Sequence, residues 1–143
     1  MNGAEKVAEV LGGRPVLGAT VRTWLDLERI VRAGLPKRTL QQVAGHAVDP
    51  DTSVSEFVYR VVPAATFKRR TRLSAEESQR TERLARVVAL AESIWDDPAA
   101  SRAFLNRPHP LLGGETALDV AQTELGARRV ERLLYDVEHG LPL

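Results

Sequence analysis

Leu84, Val87, Val88, Ala91, Ile94 and Trp95 recur at the i, i+3, i+4, i+7 spacing of a single buried helix face. No other pattern in the chain is as long or as regular, and a fold must be built around it. Ser74-Ala75-Glu76-Glu77 opens this helix with a capping-box pattern, and Asp97-Pro98 closes it. Shorter helical patterns lie on either side. One starts at Thr20 or Thr23 and carries Trp24, Leu27, Ile30 and Val31, with Trp24 expected in the core. Gly34 and Pro36 supply its stop, and Lys37 to His46 reads as the next helix. Thr52 or Ser53 caps a helix bearing Val54, Phe57, Val58 and Val61, with Glu56 completing a second capping box. Beyond the long helix, Phe104 and Leu105 turn inward on another. Thr116 and Asp119 suit a helix start, and a final helix runs from about Ala127 to His139, ended by Gly140 and Pro142. No stretch alternates long enough to form a strand, so the expected fold class is all-α, without an internal repeat.

Composition agrees with helices and removes several chemistries. Only 5% of residues are aromatic although 43% are hydrophobic, so the core must come from Leu, Val and Ala. There is no cysteine, which excludes disulfides, thiol catalysis and cysteine metal sites. His46, His109 and His139 lie far apart, with no carboxylates at metal-ligand spacing, so no metal site is expected. No motif frames a nucleophilic serine, so neither enzymatic activity nor a cofactor is expected. No apolar run approaches the ~18 residues of a membrane span, and a soluble cytoplasmic protein is the expectation. The net charge of +1 hides an asymmetry: residues 1–72 hold 12 Lys/Arg against 7 Asp/Glu, and residues 73–143 hold 8 against 12. The halves either serve different partners or differ by chance.

Residues 1–19 carry Gly12-Gly13, Pro15 and Gly18 around one apolar cluster of Val7, Val10 and Leu11, and are expected to be a flexible leader or docking arm. Further along, Pro63 separates two short helices, the second running from Ala64 to Arg72, as in a helix-turn-helix. Lys68, Arg69, Arg70 and Arg72 concentrate positive charge on that second helix, and Lys37 and Arg38 extend the patch. Such a run neutralises DNA phosphates or simply forms a solvated face. The residues that would meet base edges, Ala64, Ala65 and Thr66, are small, so strong phosphate contact with modest base readout is expected.

The last third reads as a glycine turn at Gly113-Gly114, a short capped helix, a tight corner at Gly126 and the amphipathic final helix. The turn either allows close backbone approach or offers its amides to an anion, without the lysine of a phosphate loop. The tail from Glu138 to Leu143 ends in two leucines, which suit a partner's cleft, a frayed end or self-association.

The series Leu112-Gly113-Gly114-Glu115-Thr116-Ala117-Leu118-Asp119, Thr123 to Ala127 and Val130 to Leu134 resembles the C-terminal toxin-binding domain of the Xre/MbcA/ParS family of bacterial antitoxins. The segments Arg32 to Pro36, Pro63 to Arg70 and Leu73 to Arg86 are similar, in that order, to the N-terminal helix-turn-helix domain and linker helix of the same family, so the resemblance spans about residues 20–143. It implies a leader at 1–19, a DNA-binding and dimerisation domain at 20–80 and a toxin-binding domain at 81–143. The implied partners are operator DNA and a RES-domain toxin, related to ADP-ribosyltransferases, that consumes or uses NAD. A homodimer within a hetero-oligomeric complex, built on the long helix and the N-terminal domain, is also implied. DNA contacts would fall on Lys37, Arg38, Ala65, Thr66, Lys68, Arg69, Arg70 and Arg72. Toxin contacts would fall on Leu112, Gly113, Gly114, Thr116, Arg128, Arg129, Glu131, Arg132, Tyr135, His139, Gly140, Leu141 and Leu143. Two positions depart from the family pattern: Ala65 stands where an arginine is frequent, weakening base-specific contact, and Gln79 stands where an Asp is frequent. A stand-alone regulator whose C-terminal half only dimerises is the alternative.

Overall fold

A computed structural model describes residues 1–140 of the chain. These form ten α-helices and one 3₁₀ turn: α1 (Gly3–Val10), α2 (Gly13–Leu17), α3 (Trp24–Ala33), α4 (Arg38–Ala47), α5 (Val54–Val61), α6 (Ala64–Arg69), α7 (Ala75–Trp95), α8 (Pro98–Asn106), the turn Pro110–Leu112, α9 (Ala117–Val120) and α10 (Glu124–Glu138). No strand forms among the described residues; two isolated antiparallel bridges, Pro36 with Arg72 and Pro108 with Thr116, are the only extended pairings there.

The capping box predicted for the long helix is present: Ser74 Oγ accepts from Glu77 N at 3.1 Å, and Glu77 Oε1 accepts from Ser74 N at 2.8 Å. Helix α7 then runs through the middle of the molecule and packs against α1, α3, α4, α5, α8 and α10. The stripe read from sequence is buried at Leu84, Val87, Val88 and Ala91, but Ala85 and Ala89 on other faces are buried too. A helix wrapped on several sides needs small residues where neighbours approach closely, and these alanines supply them.

The expected flexible leader is instead two ordered helices. Ala4, Val7 and Leu11 share a helix face, and with Val10 they are buried in the common core. Asn2 and Glu5 form a capping box, and Asn2 Nδ2 donates to Arg22 O at 2.8 Å, tying the start of the chain to the approach of α3. Lys6 on α1 and His46 on α4 both reach Glu92 on α7: Lys6 Nζ lies 3.2 Å from Oε1 and His46 Nδ1 2.7 Å from Oε2.

Four other expectations need correction. Trp24 is 54% exposed rather than core, because it sits in the first turn of α3 while Leu27 takes the inward position. Ser53 occupies the N-cap of α5 but makes no side-chain cap, and the box with Glu56 does not form; this helix start is exposed, so water satisfies its free amides. Helix α6 stops at Arg69 instead of Arg72, because residues 71–73 leave the helix to pair with 35–37. Leu73 N donates to Leu35 O at 2.9 Å and Arg72 Nη1 to Gly34 O at 2.8 Å, while Leu35 N donates to the buried Ser78 Oγ at 2.9 Å. Finally, α10 begins at Glu124, capped by Thr123, so Gly126 lies inside the helix rather than in a corner before it.

Polar ties join the two ends of the chain around α7. Arg102 of α8 donates to Gly45 O at 2.8 Å and Asn106 to Ala47 O at 2.7 Å, satisfying carbonyls at the C-terminal end of α4. Arg60 of α5 pairs with Asp119 of α9 at 3.1 Å.

Gly126 explains the α9–α10 crossing. A Cβ there would lie 1.7 Å from Val120 O, so only glycine lets the end of α9 cross the first turn of α10. Gly126→Ala is expected to destabilise the protein by about 3 kcal/mol or more, the upper range for overpacking. Gly45→Ala, inside α4 with no atom near its would-be Cβ, should stabilise it by about 0.5–1 kcal/mol. Urea denaturation of the two variants checks both signs.

The Glu92 cluster generates a second expectation. Burial alone would raise the Glu92 pKa, but the hydrogen bond and charge of His46, then those of Lys6, hold it below the ordinary carboxylate value. A depressed folded-state pKa contributes stability that is fully present above the unfolded value, near 4.5, and lost as pH falls through the folded value. Glu92→Gln should therefore cost about 1–3 kcal/mol at neutral pH. In urea melts at descending pH, the gap from wild type should close in the acid range.

Candidate functional site

Two separate surfaces carry the residues singled out in the sequence. The first is built on α5 and α6, joined by Val62 and Pro63. Val62 is fully buried, and Phe57, Val58, Val61 and Phe67 anchor the pair to the core. Tyr59 and Phe67 meet edge to face at 6.1 Å. Pro63 takes the N-cap position before α6, where its missing N–H is not needed.

The fold brings Lys37 to α6 although 30 residues separate it from Phe67. Its Nζ donates to Phe67 O at 3.2 Å and lies 5.0 Å from the ring centroid, so it both caps the helix C-terminus and stacks on the aromatic face. Arg70 pairs with Glu77 of the α7 capping box, and Arg72 holds Gly34 O. Lys68 lies 5.9 Å over the Tyr59 ring. Three of the basic residues (Lys37, Arg70 and Arg72) therefore spend side-chain contacts on holding the segment together. Arg38 and Arg69 are exposed, and their side chains make no hydrogen bond or ion pair among the described residues. Ala65 is exposed and Thr66 half-buried at the start of α6.

The second surface is built on α10 and the turn before α9. Its inner face, with Ala127, Val130, Leu133 and Leu134, is buried. The outer face carries Leu125, Arg128, Arg129, Arg132, Tyr135 and His139, all exposed, at spacings that align them along one side of the helix. Arg128 pairs with Glu124 at 3.3 Å and Arg132 with Asp136 at 3.3 Å; Arg129 has no ion pair among the described residues. The Tyr135 and His139 rings approach to 4.1 Å between centroids.

Gly113 and Gly114 are exposed with φ of +69° and +81°, a left-handed pair that favours glycine at both positions. Gly114 N donates to His109 O at 3.0 Å and His109 N to Glu115 O at 3.1 Å, closing the turn on itself. Thr116 Oγ1 is engaged in capping α9, accepting from Asp119 N at 3.1 Å.

Two residues expected on this surface are elsewhere. Leu112 is only 2% exposed; in the Leu111-Leu112 pair it is the second leucine that enters the core and the first that faces solvent. Glu131 faces α7, 3.6 Å from Arg86, within a network that includes Glu82 and Glu124. Burial raises the Glu82 pKa above its ordinary value, Arg86 opposes that rise, and the nearby Glu131 and Glu124 add to it. Leu141 and Leu143 lie outside the described residues, and Gly140 is exposed at the end of α10. Leu111 and Leu125, 52% and 72% exposed, were not singled out from the sequence. The available signal was that Leu125 falls outside the Val130–Leu133–Leu134 register.

A further apolar feature flanks α7: the exposed Trp24 indole stands between two grooves, one reaching Leu27 and Val31 and the other Val7 and Leu90. Among the described residues there is no group of three or more His, Asp or Glu side chains placed to hold a metal ion, and no helix is long and apolar enough to cross a membrane.

Comparison with known proteins divides the chain as the two surfaces do. Residues 26–86 match the antitoxin Xre-like helix-turn-helix domain, and residues 90–140 match the antitoxin Xre/MbcA/ParS C-terminal toxin-binding domain. The junction between the matches falls within α7, and α1 and α2 precede both. The chain is also 27% identical over 88 residues to the antitoxin Xre of Pseudomonas putida, a stretch that covers 59% of this chain and 55%, just over half, of that relative.

Proposed function

We propose that the chain, with its match to the antitoxin Xre-like helix-turn-helix domain followed by its match to the Xre/MbcA/ParS C-terminal toxin-binding domain, is the antitoxin of a type II toxin–antitoxin pair. The toxin it neutralises is a RES-domain protein that consumes NAD or transfers ADP-ribose. The observation that carries this reading is the order of the two domain matches on one continuous helix, α7, with the basic face of α5–α6 and the outer face of α10 both left open. The protein's role is binding, at two sites with different partners.

At the first site, α6 lies against operator DNA and the protein represses its own operon. Arg38 and Arg69 are the phosphate contacts, because their charges are not already committed within the chain; Lys37, Arg70 and Arg72 chiefly hold α6 in place, with Lys68, Ala65 and Thr66 alongside. A small helix start reads bases weakly, so two half-sites and a symmetric dimer are required. The groove on both sides of Trp24 offers such a dimer an apolar surface next to α7. At the second site, the outer face of α10 and the Gly113–Gly114 turn seat the toxin. The tail from Gly140 to Leu143 then enters its NAD cleft, where a short apolar segment excludes the cofactor by volume.

Two measurements test these assignments. In promoter-binding titrations, replacing both Arg38 and Arg69 with Ala should flatten the salt dependence by about one unit per lost contact, whereas Arg70→Ala should lower thermal stability first. Unchanged promoter affinity in the double variant would remove this face from the DNA site. In an NAD-consumption assay of the protein encoded beside this gene, saturating wild-type antitoxin should abolish turnover, and a chain lacking residues 140–143 should bind yet leave partial turnover. Full inhibition by the truncated chain would overturn occlusion by the tail.

A further inference from the structure

The back half of the chain is acidic, yet the open groove between the Pro110–Leu112 turn and α10 is basic. Arg128, Arg129 and Arg132 line it against a single carboxylate, Asp136, and its floor is apolar, with Leu133 below and the exposed Leu111 and Leu125 at either side. At about 600 Å³ it has room for several side chains of a segment.

We propose that this groove receives an acidic segment of the toxin, with one or more apolar side chains seated between Leu111 and Leu125 and its carboxylates on Arg129 and its neighbours. This rests on the antitoxin reading above and specifies the chemistry of the partner there. The charge argument decides the class of occupant. Glu124, the other acid nearby, pairs with Arg128 at 3.3 Å but is shared with Arg83 and Arg86 of α7, at 3.8 and 4.0 Å. The Arg128 side chain is 70% exposed, and its charge is only partly compensated. Arg132 is 76% exposed beside Asp136, and Arg129 has no pair among the described residues. A face with arginines and an aromatic, Tyr135, around exposed leucines has the composition of a protein-binding centre rather than of free surface. The opposite face of α10 is buried, so the backbone positions that carry the arginines are set by the fold before the partner arrives.

The full chain is titrated with the purified product of the neighbouring reading frame by calorimetry and by association kinetics. Two variants are compared with wild type: the double variant Leu111→Ser with Leu125→Ser, and Arg129→Glu. Both change exposed side chains, and helical circular dichroism and melting temperature confirm that they fold. Leu25→Ser, an equally exposed leucine on α3, is the control. The expected result is at least about tenfold weaker binding for each groove variant, a lower association rate with reduced salt dependence for Arg129→Glu, and no change for the control. Binding within threefold of wild type by either groove variant overturns the inference while leaving the antitoxin reading intact. Failure of the wild-type chain to bind that product overturns both. If the double variant instead changes the mass of the antitoxin alone in light scattering, without altering toxin affinity, the groove is a contact between copies and the inference fails.

Discussion

Burial of α7 on several sides is the constraint from which the rest of the structure follows. Its large residues, Leu84, Val87 and Val88, face neighbours with no exposure at all, and its alanines at 85, 89 and 91 let helices from both ends of the chain come close. Each buried leucine or valine contributes on the order of 1.5–3 kcal/mol through the apolar surface it removes from water. Because α1, α3, α4 and α5 use the same helix as α8 and α10, neither the N-terminal nor the C-terminal half has a core wholly its own.

Sharing one core helix places polar groups where they must be satisfied across the join. The Leu35 amide finds Ser78, the last carbonyls of α4 find Arg102 and Asn106, and Glu92 gathers Lys6 and His46. Each is a tie between segments distant in sequence, and an unmatched partner in any of them would carry a desolvation penalty. These contacts specify how the halves sit on each other more than they add net stability. The exposed Arg60–Asp119 pair, by contrast, is screened by water and contributes little.

Charge is sorted in the same way. On α6 and the strand-like segment after it, several cations are absorbed by the fold: Lys37 by a carbonyl and a ring, Arg70 by Glu77, Arg72 by Gly34. On α10 the inward acid, Glu131, answers Arg86, while the arginines point outward. The net charge of each half therefore says little about the face it presents, since what a partner meets is the charge left over after internal pairing.

Much of the architecture is written in local signals. The helical class, the α7 stripe with its capping box, the break at Pro63, the Gly113–Gly114 turn and the order of motifs all follow from period, caps and turn chemistry, which act over a few residues. Tertiary structure alone decided the remainder. Val7, Val10 and Leu11 looked like one turn in a leader until α7 gave them a surface to bury against. Arg70 looked like a free cation until Glu77 came within reach, and Leu112 and Glu131 turned away from the surface their motifs suggested. Gly126 shows the division most clearly. Its presence is visible in the chain, but the carbonyl of Val120 that forbids any other side chain arrives only when α9 crosses α10. Spacing in sequence determines which residues share a helix face, whereas the choice of which face is buried belongs to the neighbours that pack against it.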